Sequence, residues 1–265
     1  MAAHRHIPAA LSLDGLNTDA RGAFDLAAEA GYEGIAFATN HPELTPGDLG
    51  ESARRHVKKL LDARHLGIAS VRAAAPRAGL ADAATIDRTV DNAHAAIELA
   101  HDLGVQTVAL NVGNIAAEGA AAAAAVGALR EIAGRADAAG VTLALAADAA
   151  ASLEALLRQV NFERARANLD TGRMIAAGED PLPIAEALAA RLGQFTAADA
   201  VRAGKSMRAA FLGEGQLPLV ELLEILEDIG FRGPTVVDVR DLAEGAEGAR
   251  HAARVLEKAW SAVRR

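Results

Sequence analysis

Cysteine is absent from all 265 residues, which excludes disulfides, thiolate metal sites and a cysteine nucleophile. A reducing compartment suits such a chain, and the cytoplasm is the expected location. Aromatic residues are scarce as well, at 3% against 51% hydrophobic overall, so the core has to be built from Ala, Leu, Val and Ile. The chain also lacks an excess of positive charge: its formal net charge is -8, which repels nucleic acid and anionic membrane, and neither is expected as a partner. No run approaches the roughly 18 apolar residues of a membrane span, and no apolar stretch follows the basic residues of 1–8, so no signal peptide is expected.

Several chemical motifs are missing too. There is no Gly-x-Ser-x-Gly elbow for a serine nucleophile and no His-Glu-x-x-His zinc helix. His94 and His101 stand seven residues apart on a predicted helix and read as packing or surface residues, and His4 and His6 precede the first strand. Gly204-Lys205-Ser206 looks like the end of a phosphate loop, but Asp199 stands where that loop needs its first glycine.

What the chain does have is alternation. Short apolar runs at 9–13, 34–38, 68–73, 107–112, 142–146, 167–170, 194–197 and 235–239 are each too short for a helix. Stretches of helical periodicity separate them, as in 127–139, where Leu129, Ile132, Ala133 and Ala136 share one stripe. Alternating strands and helices imply a parallel sheet, and eight such units predict an α/β fold, a single (β/α)8 TIM barrel forming one domain over 1–265. Gly31, Gly67, Gly104, Gly140 and Gly230 precede strands and read as left-handed helix ends. Thr45-Pro46-Gly47-Asp48 and Asp180-Pro181 read as helix starts, and the Ala-rich stretch 116–125 as helix.

Six segments carry a family resemblance. They are Gly31-Tyr32-Glu33-Gly34-Ile35, Ala100-His101-Asp102-Leu103-Gly104-Val105, Val141-Thr142-Leu143-Ala144-Leu145, Asn168-Leu169-Asp170-Thr171-Gly172, Gly213-Glu214-Gly215 and Ile229-Gly230-Phe231-Arg232-Gly233-Pro234. In order and spacing the chain resembles the xylose-isomerase-like sugar isomerase/epimerase superfamily, which also includes the family-2 apurinic endonucleases. That resemblance implies a divalent metal (Mn, Mg, Co or Zn) at the barrel mouth, held by a Glu ending strand five, an Asp in strand six, a His in strand seven and a Glu in strand eight. The matching positions here are Ala146, Asp170, Thr196 and Asp238. Only two of them keep a carboxylate, and Asp148 lies too far along to stand in for strand five's ligand. Three further positions where the family often has His read Arg72, Asn111 and Arg173.

The expected site is therefore Arg72, Asn111, Asp170, Arg173, Thr196 and Asp238, gathered at the C-terminal ends of the strands. Guanidiniums are forked donors for carboxylate or phosphate, so the expected ligand is a small anionic sugar-like molecule. Arg202, Lys205 and Arg208 after strand seven lean this towards phosphate, while ion pairing with nearby carboxylates is the structural alternative for Arg72 and Arg173. No cofactor or metal is expected, with residual Mg or Mn binding by the two carboxylates left open. Asp170 and Asp238 are the weak candidates for acid/base chemistry. The leading expectation is a divergent isomerase/epimerase-family barrel whose catalysis is unsecured. A non-catalytic sensor, scaffold or assembly subunit is the alternative, and barrel helices leave a homodimer open. An apurinic endonuclease would need a His- and Glu-rich metal cluster that this chain lacks.

Overall fold

The parallel strands close into a barrel, and the reason lies in their burial. The barrel strands are β1 (Ala9–Ser12), β2 (Gly34–Ala38), β3 (Gly67–Arg72), β4 (Thr107–Gly113), β5 (Thr142–Ala147), β6 (Ala165–Asp170), β7 (Leu192–Ala197) and β10 (Thr235–Val237). They pair in parallel in the order β1-β10-β7-β6-β5-β4-β3-β2, with β1 closing on β2. Both faces of such strands are covered, one by the barrel interior and one by helices, so they read as continuous apolar runs rather than alternating ones. This computed structural model describes residues 9–115, 118–204 and 206–263. The chain is thus a single (β/α)8 barrel, as its alternation predicts.

Helices α1 (Ala20–Ala30), α2 (Glu51–Asp62), α3 (Ile86–Leu103), α4 (Ala120–Ala138), α5 (Ala150–Val160), α6 (Thr171–Ala177), α7 (Pro181–Ala187), α8 (Leu219–Asp228) and α9 (Gly245–Val263) accompany the strands. The apolar stripe anticipated in 127–139 belongs to α4, which buries Leu129, Ile132, Ala133 and Ala136. Phe24, Phe37 and Phe195 are among the largest wholly buried side chains, so the few aromatic rings are spent on the core. The lone Tyr32 joins the two ends of the chain by donating its hydroxyl to the Ala249 carbonyl at 2.7 Å.

Gly31 and Gly104 do end helices in the left-handed region, at φ 89° and 74°, and Gly140 and Gly230 also have positive φ. Gly67 does not: His65 takes the left-handed turn at φ 58°, and Gly67 simply opens β3. Asp180 caps α7 by accepting from the Leu182 N–H, with Pro181 at the first turn. Thr45 to Asp48, by contrast, is a closed turn in which the Thr45 hydroxyl donates to Asp48 at 2.6 Å, and α2 starts only at Glu51. Within the Ala-rich stretch the helix begins at Ala120, while 116 and 117 lie outside the described residues. His4 and His6 lie outside them too.

One element had no precedent in the sequence reading. After β7 the chain leaves the barrel as an antiparallel hairpin of β8 (Asp199–Ala203) and β9 (Ser206–Ala210). A second excursion, residues 73–85 between β3 and α3, is seated on β4 by two glycines. A Cβ on Gly113, at φ 79°, would come within 2.2 Å of the Ala78 carbonyl oxygen, and one on Gly79, at φ 56°, within 2.6 Å of Val112. Substituting Gly113→Ala combines left-handed strain with a backbone clash, and a loss of roughly 2–4 kcal/mol in urea denaturation is expected.

Candidate functional site

All six residues anticipated from the sequence converge at the C-terminal end of the barrel. Arg72 ends β3, Asn111 lies in β4, Asp170 ends β6, Arg173 is in the first turn of α6, Thr196 lies in β7 and Asp238 directly follows β10. Together they line a narrow throat of about 40 Å³, along with Ser12, Ala36, Ser70 and Ala146. On several strands the lining positions are two residues apart, as the pleat requires: Ser70 and Arg72, Asn168 and Asp170, Gln194 and Thr196, Val236 and Asp238. The throat has room for little more than ordered water.

Its polar groups are largely committed to one another. Gln194 donates to the Thr196 hydroxyl at 3.1 Å, which donates to the Asn168 side-chain oxygen at 2.9 Å. Asn111 accepts from the Gly113 N–H at 3.2 Å. Arg72 grips Asp14, which follows β1, through Nη2 at 2.6 Å and Nε at 3.0 Å. Arg173 donates to Asp148 at 2.8 Å and faces Asp170 at 3.3 Å. Asp170 also caps α6 by accepting from the Arg173 N–H at 3.1 Å. Its carboxyl is 13% exposed, and desolvation raises its pKa above the ordinary carboxylate value against the pull of Arg173.

Arg240 was missing from the sequence reading and is central here. Its Nε donates to Asp238 at 2.6 Å, Nη2 also contacts that oxygen, and its backbone N–H reaches the other oxygen at 3.0 Å. Burial disfavours the Arg240 charge, but Asp238, Asp170 and Asp14 together outweigh it and raise its pKa. The only sequence signal was its position two residues beyond Asp238, where a barrel strand delivers residues to the mouth.

Above the throat opens a wider pocket of about 510 Å³. Asp170, Arg173, Asp238 and Arg240 form its floor, and Arg77 from the β3–α3 loop and Arg208 from β9 reach its rim. Arg77 and Arg208 are exposed, and neither side chain makes a hydrogen bond or ion pair within the described residues. Asp241 brings one exposed carboxylate to the same pocket. Of the anticipated phosphate cluster, Arg208 lines the pocket, Arg202 does not, and Lys205 lies outside the described residues. Arg72, Asn111 and Thr196 stand below in the throat rather than on the pocket's wall.

His41, in the loop after β2, shows how the mouth responds to acid. Its Nδ1 accepts from the Glu43 N–H at 3.3 Å, and desolvation lowers its pKa despite nearby Asp14 and Glu43. The unfolded chain therefore binds this proton more readily than the folded one. Stability is expected to fall as pH drops through the ordinary value of 6.5 towards the lowered folded one. Denaturant titration of His41→Asn across that range should show a flatter dependence than the parent chain.

Comparison with known proteins agrees with this architecture. The family model of the xylose isomerase-like TIM barrel matches residues 24–259, and the chain belongs to that family. Among solved structures, a xylose isomerase domain protein from Planctomyces limnophilus superimposes with a TM-score of 0.84 at 17% identity, covering 98% of this chain and 99% of that one. D-psicose 3-epimerase from Clostridium cellulolyticum H10, solved with D-tagatose, gives a TM-score of 0.75 at 16% identity over 97% and 99%. A xylose isomerase-like barrel from Mycobacterium smegmatis in complex with magnesium gives 0.73 at 17% identity over 95% and 97%. At these identities the likeness is one of fold. Among curated proteins none matches the sequence.

Proposed function

We propose that this chain is a divergent barrel of the sugar isomerase/epimerase kind that binds a small anionic sugar-like molecule in the mouth pocket without a divalent metal. The observation that carries this reading is the pair of exposed, unpartnered guanidiniums, Arg77 and Arg208, on a pocket of about 510 Å³. A pocket of that size suits a sugar-sized ligand, and two forked donors suit its phosphate or carboxylate. The polar floor offers partners for hydroxyl groups. Epimerase structures among the fold neighbours support the sugar-like part of the reading.

The residues present do not fit the metal that the resemblance implies. Ala146 offers a methyl group, Thr196 is already bound to Asn168 and Gln194, and Asp238 is taken up by Arg240. No three His, Asp or Glu side chains among the described residues come together as a metal-binding group. Without a metal to polarise a carbonyl, isomerase or epimerase chemistry would fall to Asp170 and the arginines, and catalysis is not assigned.

Calorimetric titration with inorganic phosphate, a hexose phosphate and the uncharged hexose tests the reading. Submillimolar binding of the two phosphates, with the hexose far weaker, is the expected result. Binding of the uncharged hexose alone would remove the anion from the proposal. The throat's three Asp–Arg partnerships favour a second reading, a non-catalytic scaffold, and that reading prevails if none of the three compounds binds.

A further inference from the structure

We infer that Arg240 is a built-in cation: its guanidinium takes over, with a fixed single charge, the electrostatic role of a divalent ion at the barrel mouth and thereby keeps metal out. The inference rests on the metal-free part of the proposed function and not on its anion-binding part.

Three aspartates line the throat, Asp14 after β1, Asp170 at the end of β6 and Asp238 after β10. Taking three carboxylates out of water is costly unless positive charge accompanies them. In this chain three arginines do so: Arg72 on Asp14, Arg173 on Asp170, and Arg240 on Asp238. Arg240 differs from the other two in being bound to a single carboxylate through both its side chain and its backbone. Its guanidinium closes on Asp238, whereas Arg72 holds Asp14 and Arg173 spans Asp148 and Asp170. Like Arg173, it lines both the throat and the pocket above, so it stands at the boundary between them.

The backbone holds Arg240 in place. A Cβ on Gly15, which has φ 81°, would lie 2.3 Å from the Arg240 Cα, so the turn after β1 rests directly on this residue and needs glycine to do so. The same turn is close to the start of α9, where a Cβ on Gly245 would lie 2.6 Å from the Gly15 carbonyl oxygen. Arg240 donates its backbone N–H to one Asp238 oxygen and its side chain to the other. Both oxygens of that carboxylate are thus engaged, and a metal ion approaching them would meet a guanidinium that is 29% exposed and poorly screened by water.

The test compares the full chain with Arg240→Met, Arg240→Lys and the double variant Arg240→Met/Asp238→Asn, using Mn titration calorimetry and thermal unfolding with and without millimolar Mn. The parent chain should show no stoichiometric Mn binding and a Tm indifferent to Mn. Arg240→Met should unfold at lower temperature, bind Mn at least tenfold more tightly than the parent, and regain Tm when Mn is added. Arg240→Lys should stay near the parent, since it keeps the charge. The double variant should be more stable than Arg240→Met, because no carboxylate is left without a counter-charge. If Arg240→Met does not fold, recovery in the double variant still supports the inference, and equal failure of both overturns it. Tight stoichiometric Mn in the parent chain would overturn it outright. Phosphate titration of the parent reports on the anion reading separately, so the two cannot fail unnoticed together.

Discussion

Replacing Asp199 by alanine is expected to cost roughly 3–5 kcal/mol, the largest loss of stability anticipated for any single side chain near the mouth. Asp199 opens the hairpin and is buried, with 4% of its surface exposed. Its carboxylate accepts from four backbone N–H groups: Ala200 at 2.8 Å, and Gly213, Gly215 and Leu217 at 3.0 Å each. Hydrogen bonds to an ionised acceptor contribute more than neutral ones, and alanine would strand the buried donors without a replacement. Asparagine keeps one oxygen and should retain part of the stability. Glutamate should be no remedy, because Gly215 already sits so close that a Cβ on it would lie 2.2 Å from an Asp199 oxygen. Urea denaturation of the three variants gives the order: parent most stable, asparagine next, alanine and glutamate lowest. A cost below about 1 kcal/mol for alanine would mean that water replaces the carboxylate and that the loop is not held by it.

This residue also shows where sequence reading stopped. Asp199 entered only as the residue that spoils a phosphate-loop match, and Gly213-Glu214-Gly215 only as part of a family resemblance. Their connection spans 14 residues and passes through a hairpin, so no local periodicity could disclose it. The barrel strands were far easier to read, since each is a short apolar run fixed by burial on both faces. Predicted and observed strands accordingly agree to within about two residues, the level at which helix and strand ends are intrinsically ill-defined. The hairpin was hidden because its strands, from Asp199 to Ala210, are partly exposed and carry charges.

The six anticipated site residues come together at the barrel mouth because alternation along a strand and the polarity of the barrel bring them there. What they touch was not legible. Arg72 could be seen to need a carboxylate, but its partner Asp14 lies 58 residues away and is brought near only by closure of the barrel. Arg240 escaped notice because the resemblance directs attention to the four metal positions, and an arginine that takes over from the metal need not occupy any of them. Arg77 lies in the irregular β3–α3 connection, whose course depends on Gly79 and Gly113 meeting β4. Sequence periodicity says nothing about such a contact.

The largest expected effect on binding comes from removing the two rim arginines together. Each of Arg77 and Arg208 offers a charge-assisted pair of hydrogen bonds, of about 1.5–3 kcal/mol when formed with an anion. Arg77→Ala and Arg208→Ala should each weaken binding of a hexose phosphate by about tenfold or more, since about 1.4 kcal/mol is tenfold in Kd. The double variant should lose at least about a hundredfold if the two residues act on the same anion from separate loops. Neither substitution should lower Tm appreciably, because both side chains are exposed and free of partners within the described residues. Salt gives a second signature: binding by the parent chain should weaken as ionic strength rises, and the residual binding of the double variant should depend on it less. Should either single variant bind as tightly as the parent, that arginine is not a ligand contact, and the anion must seat lower, on the floor formed by Arg173 and Arg240. A mouth-wide loss of affinity in Gly113→Ala, with Arg77 itself intact, would show in turn that the loop's seating on β4 is what brings Arg77 to the ligand.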